Sequence, residues 1–156
     1  MFSIFLAAGS ALLDLHIKSR MEKKPVSYFP RKILGGHVLL RRHHNSGFCL
    51  NIGEDHPRTV LAIASCMMAS SLAWFVKLLS RPGRWTEKTA AALIAGGAAS
   101  NLTDRFRHGF VIDYFSFVHK KKPGKLILNL GDCFLMLGSG LMILSTIFTS
   151  DSEDSL

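Results

Sequence analysis

The sequence has 156 residues, 19 Lys and Arg against 11 Asp and Glu, and a formal net charge of +8. Apolar residues make up 48% and mean hydropathy is +0.24, which excludes a disordered tail or a solvated basic arm. The charged fraction of 19% is below the roughly 25% of soluble domains, and the basic residues sit in gaps between long apolar runs. That segregation marks an integral membrane protein and argues against a nucleic-acid partner.

In chain order, Phe2–Leu13 is apolar and makes a first span, 2–18, if the helix continues past Asp14 towards Lys18. It has no basic n-region and no small-residue cleavage pattern, so it reads as a retained helix rather than a signal peptide. The loop 20–59 holds three strand-like stretches, Val26–Phe29, Ile33–Leu40 and Gly47–Ile52, divided by Pro30, Gly35 and Asn45. Together they predict a small sheet against the membrane surface. The second span, 60–79, carries no charge before Lys77; at about 1.5 Å per residue it matches a hydrocarbon core of about 30 Å. The third, 86–103, is shorter in apolar length and rich in small residues from Ala90 to Ser100. Such residues let helices approach closely in lipid, which places this one at the centre of the bundle.

A further strand-like stretch, Phe110–Val118, is followed by a turn at Pro123-Gly124 and a fourth span, 126–148. The expectation is a mainly α, four-span membrane domain over 1–150, with a short, acidic, disordered tail over 151–156. Cys49, Cys66 and Cys133 have no metal-type spacing and an odd count, so no disulfide framework, metal or cofactor is read from them. The seven histidines likewise lack ligand spacing and read as interfacial or solvated.

An ionised carboxylate in hydrocarbon costs several kcal/mol, so acids at or inside spans carry the information. Asp14 and Lys18 stand four apart on one helix face and can pair. Asn101, Asp104 and Arg105 also point one way, from the end of the third span. Asn129 and Asp132 share a face of the fourth, and no basic residue lies three or four positions from Asp132. Asp113 is equally surrounded by apolar sequence. Two such carboxyls brought together would share one proton, as an aspartic protease pair requires; a proton or cation relay in a small transporter would use the same residues.

These motifs, taken together, resemble signal peptidase II, the bacterial lipoprotein signal peptidase and an intramembrane aspartic protease. Gly96-Gly97-Ala98-Ala99-Ser100-Asn101-Leu102-Thr103-Asp104-Arg105 and Gly109-Phe110-Val111-Ile112-Asp113-Tyr114 look like its central signature. Asn129-Leu130-Gly131-Asp132, Asn45-Ser46-Gly47 and Asp14…Lys18 resemble its remaining motifs. The resemblance implies that Asp113 and Asp132 are the catalytic pair. Asn45, Gly47, Asn101, Asp104, Arg105, Asn129, Asp14 and Lys18 become supporting or substrate-binding residues. It further implies a four-helix bundle with a small extracytoplasmic β-cradle, acting as a monomer on diacylglyceryl-modified prolipoproteins beside membrane lipids. The cut falls N-terminal to the lipidated Cys, and no metal or cofactor is used. A non-cleaving lipopeptide-binding relative is the other reading. Ser100 and Gly131 depart from the pattern, which has Gly and Ala there, and the Phe-Pro before the fourth helix is missing.

The family topology is a multi-pass protein of the bacterial cytoplasmic membrane, with the site on the extracytoplasmic side. The basic residues oppose it: the segments Lys18–Arg58 and Arg105–Lys125, around the first and third connections, carry 15 and Lys77–Lys88, around the second, carries four, whereas positive charge normally marks the cytoplasmic side.

Overall fold

The computed structural model describes residues 1–119 and 122–153. Four helices form the body: α1 (Phe2–Glu22), α2 (Pro57–Leu79), α3 (Trp85–His108) and α4 (Leu130–Glu153). Three of them, α1, α2 and α4, are long and apolar enough to cross a membrane. The third expected span, 86–103, lies in α3, which is long enough but does not meet that standard of hydropathy. Its ends carry Glu87, Lys88, Asp104, Arg105 and Arg107.

The polarity of the helices is inverted relative to a water-soluble bundle. The buried stripe of α1 is Ser3, Ser10, Asp14 and Lys18, whereas Phe2, Ile4, Phe5, Leu12 and Leu13 are exposed. α2 and α4 likewise turn Ile63, Met67, Leu72, Met136, Leu137, Ile143 and Leu144 outward. Such a belt is a liability in water and the expected surface in lipid. As the small residues predict, α3 packs against each of the other three helices. A Cβ on Gly96 would collide with Ser10 and the Ala7 carbonyl of α1; one on Gly97 would collide with the Gly131 carbonyl of α4. Ala90, Ala91, Ala92 and Ala95 of α3 are buried, with Phe75 and Leu78 of α2 against the last three.

The sheet is smaller than expected. Strands β1 (Arg31–Ile33), β2 (Val38–Asn45) and β3 (Val111–His119) run antiparallel in that order, and the two-residue β4 (Lys122–Pro123) folds back on β3. The stretch Val26–Phe29 forms a single 3₁₀ turn, and Gly47–Ile52 contains another. Ile33–Leu40 is interrupted by a turn at Leu34–Gly36, where Gly35 and Gly36 take positive φ. Short β-rich composition marks a strand only where a partner strand exists: the two ends of Ile33–Leu40 fall in β1 and β2 and pair, whereas Val26–Phe29 and Gly47–Ile52 are in no strand pairing among the described residues.

Two helix boundaries also differ. α4 begins at Leu130 rather than at 126, because the Leu128 backbone is bonded to Phe115 of β3 through N–H and C=O, at 2.7 and 3.0 Å. It continues to Glu153, through part of the segment expected to be a disordered tail; residues 154–156 lie outside the described residues. α3 ends where Gly109, at φ 80°, donates its N–H to the Arg105 carbonyl, a left-handed glycine cap.

Candidate active site

Asp113 comes from the start of β3 and Asp132 from the first turn of α4. Asn129 immediately precedes α4 and caps it. Its Oδ1 accepts the Asp132 N–H at 2.9 Å, and Asp132 Oδ2 accepts the Asn129 N–H at 3.1 Å. This reciprocal pattern is a capping box, so the residue expected to do chemistry is also the one that starts the helix. With Asn129 Oδ1 occupied by an obligate donor, its Nδ2 is forced outward, and it donates to Asp113 Oδ1 at 2.7 Å.

Two other asparagines repeat the device. Asn45 Oδ1 accepts the Gly47 N–H at 3.0 Å, which aims Nδ2 at Asp113 Oδ2, 3.1 Å away. Asn101 Oδ1 accepts from Lys18 Nζ at 2.7 Å, which aims Nδ2 at Asp132 Oδ1, 2.8 Å away. Each of the four carboxylate oxygens therefore has one fixed donor. Asn45 owes its place to a bulge. The β2–β3 register slips by one residue between Leu40 and His43, and an odd slip exchanges the two faces of a strand. It brings Asn45 onto the face that carries Asp113.

Beneath the pair lies a buried ionic layer. Lys18 Nζ is 3.0 Å from Asp14 Oδ2 and 3.0 Å from Asp104 Oδ2, and all three side chains are almost wholly buried. Sequence spacing pairs Asp104 with Arg105; the structure pairs it with Lys18 and with the Ile112 N–H at 3.1 Å. Asp14 Oδ1 accepts the Tyr114 hydroxyl at 2.9 Å and the Leu130 N–H at 3.1 Å. Ser100, the departure from Gly, donates to Asp14 Oδ2 at 2.6 Å and accepts from Lys18 at 3.1 Å. Tyr114 and Ser100 are missing from the sequence-based site. Strand alternation offers a signal for Tyr114, which must face away from Asp113 and into the helices; no comparable signal exists for Ser100.

Arg105 leans the other way. Its Nη2 donates to the Gly47 carbonyl at 2.7 Å and its guanidinium lies 5.8 Å from the Phe48 ring centroid, while Nε is buried without a partner among the described residues. Gly47 admits no side chain: a Cβ there would lie 2.5 Å from the Asn51 and Ile52 backbones. His44, expected to be interfacial or solvated, is exposed, pairs with Glu22 and stacks on Phe110 at 4.1 Å.

Asp113 and Asp132 border one cavity of about 510 Å³, walled by Met67, Met68, Ile94, Leu102, Leu135 and Met136 and edged by Asn45, Asn101 and Arg105. Burial and the nearby Asp132 push the Asp113 carboxyl up to about 7, against the Asn45 and Asn129 hydrogen bonds and the charge of Lys18. Burial beside Asp14 pushes the Tyr114 phenol far above its usual range and keeps it a neutral donor. An apolar chamber thus meets two hydrogen-bonded carboxyls, one of which is poised to hold a proton near neutral pH. Among the described residues no cluster of three His, Cys, Asp or Glu side chains could hold a metal ion.

A family model for signal peptidase (SPase) II matches residues 6–148. Lipoprotein signal peptidases of Brucella ovis and Brucella melitensis are each 33% identical over 144 residues, spanning 91% of this chain and 87% of theirs. Two solved structures of bacterial membrane enzymes share the fold at 19% identity. One has a TM-score of 0.81 over 97% of this chain and 90% of the other; the second has 0.77 over 93% and 92%.

Proposed function

The chain belongs to the signal peptidase II family, and from that premise we propose that Asp113 and Asp132 are the catalytic pair with which it removes signal peptides from prolipoproteins. It is a bacterial membrane protein and a protease. The observation that carries the site assignment is that carboxyls from β3 and α4 share Asn129 and open onto one apolar cavity.

In the reaction, a water held between the two carboxyls loses a proton to the ionised one and attacks the scissile carbonyl. The protonated carboxyl donates a hydrogen bond to the oxygen as it becomes tetrahedral. Collapse of the intermediate breaks the C–N bond, and the leaving amine takes a proton from the pair. The three asparagines keep both carboxyls in place without supplying protons of their own. Arg105 Nε offers a buried donor to the substrate backbone at the cavity edge.

The substrate is a prolipoprotein whose diacylglyceryl chains enter the apolar cavity, with cleavage on the N-terminal side of the lipidated Cys. The protein acts as a monomer with no nucleic-acid partner. It crosses the membrane four times, with α3 shielded by the other helices and the sheet and site on the extracytoplasmic side. A transporter's aspartate relay and a non-cleaving relative are not favoured. The test is a gel-shift assay in detergent: the purified protein converts a diacylglyceryl-modified prolipoprotein to a smaller product. Undiminished precursor after prolonged incubation contradicts the proposal.

A further inference from the structure

A second cavity, of about 220 Å³, adjoins the first at Asp113, with Asn45, Leu126 and Ile127 in the shared wall. Its own residues are His43, Leu50, Asn51 and Lys125, a more polar set than the aliphatic wall of the larger chamber. His43 is paired with Asp113 in the β2–β3 register and so lies on the same face. Arg41 Nη1 donates to the carbonyl of Gly124, the residue before Lys125, at 3.4 Å.

The loop at one side is unusual. Leu50 and Asn51 both have positive φ, 56° and 61°, a conformation that costs a non-glycine residue and that persists where the surroundings impose it. Here the Phe48 N–H bonds the Ile52 carbonyl at 2.8 Å and closes the loop. Asn51 Nδ2 donates to Glu54 Oε2 at 2.6 Å, which leaves Oδ1 as the free end of the amide. That oxygen is buried and has no hydrogen-bond partner among the described residues. A buried acceptor without a donor is costly to maintain, and a peptide N–H is the complement it lacks.

We propose that this cavity is the subsite for the residue immediately after the lipidated cysteine. That residue's peptide N–H is donated to Asn51 Oδ1, and its side chain lies beside His43 and Lys125, whose ammonium favours an acidic group. The inference rests on the proteolytic reading. If acyl chains fill the apolar chamber and the scissile bond lies at the carboxyl pair, the chain beyond the bond leaves past Asp113 into the polar neighbour. Glu54 is engaged with Asn51 and Asp113 holds a proton up to about pH 7, so the Lys125 ammonium sets the preference.

The test uses three synthetic diacylglyceryl-modified precursor peptides that differ only in having Asp, Asn or Lys after the modified cysteine. An exposed charge pair changes an equilibrium by up to about fivefold. The wild type therefore cleaves the Asp peptide with a kcat/KM up to about five times that for the Lys peptide. Lys125→Glu reverses the order. Asn51→Gly, which tolerates the positive φ, raises KM for all three and keeps the order. Equal rates on the three peptides, or a preference that survives Lys125→Glu unchanged, overturn the subsite while leaving the protease intact. Failure to cleave any of the three overturns the proteolytic reading and the subsite with it.

Discussion

Ser100 and Gly131, the two single-residue departures within the Asn101 and Asp132 motifs, meet at one atom. Ser100 Oγ lies 2.6 Å from Asp14 Oδ2, and a Cβ on Gly131 would lie 2.8 Å from that same oxygen, 2.9 Å from Asn129 Oδ1 and 3.1 Å from the Gly97 carbonyl. The oxygen cannot retreat freely, because Lys18 and Ser100 both hold it. Gly131→Ala therefore overpacks the layer beneath the catalytic pair, at a cost of about 1–3 kcal/mol, and pushes on the Asn129 amide that aligns both carboxyls. Ser100→Gly alone loses the hydrogen bonds to Asp14 and Lys18 and adds a helix glycine, about 2–4 kcal/mol in sum. The double variant restores the family's Gly and Ala and frees Asp14 to move, so the two changes couple favourably by about 1 kcal/mol or more. Thermal unfolding in detergent and precursor cleavage, measured on all four proteins, read this out. Gly131→Ala with wild-type stability and turnover, or a double variant equal to the sum of its parts, refutes the reasoning.

Lys18→Met strands Asp14 and Asp104 in the interior; removing one partner of a buried ion pair costs about 3–5 kcal/mol, seen as a collapse of the unfolding temperature. For Asp113 the carboxyl is raised from 3.8 unfolded to about 7 folded. The native state thus binds more protons across that window, and its stability falls as pH rises from about 4 to about 7. Asp113→Asn, which cannot ionise, flattens that fall in a series of melting curves; an unchanged slope refutes it. Membrane orientation is read by Lys32→Cys in a background without native cysteines. A membrane-impermeant maleimide added to intact spheroplasts labels it, and labelling only after lysis reverses the topology.

The helices were legible because lipid demands long apolar runs, and α3 because small residues mark close helix contact. The acids were legible for the same reason: Asp14, Asp113 and Asp132 are too costly in such surroundings to be incidental. Partners were harder. Lys18 joins α1 to Asp104 and Asn101 across more than 80 residues of sequence, and no periodicity encodes that. The capping box at Asn129 and Asp132 was present as a spacing, yet the apolar Leu126–Leu128 extended the helix reading backwards over residues that pair with β3. Val26–Phe29 and Gly47–Ile52 failed as strands because the strand signal is composition, while a strand needs a neighbour; Ile33–Leu40 succeeded at its two ends, which pair across the turn between them.

Replacement of each acid in turn tests the central claim most directly. Asp113→Asn and Asp132→Asn, purified in detergent and confirmed as folded by their melting curves, are each expected to leave a diacylglyceryl-modified prolipoprotein uncut under conditions where the wild type converts it fully. Substantial turnover by either folded variant would contradict the assignment of these two carboxyls as the catalytic pair.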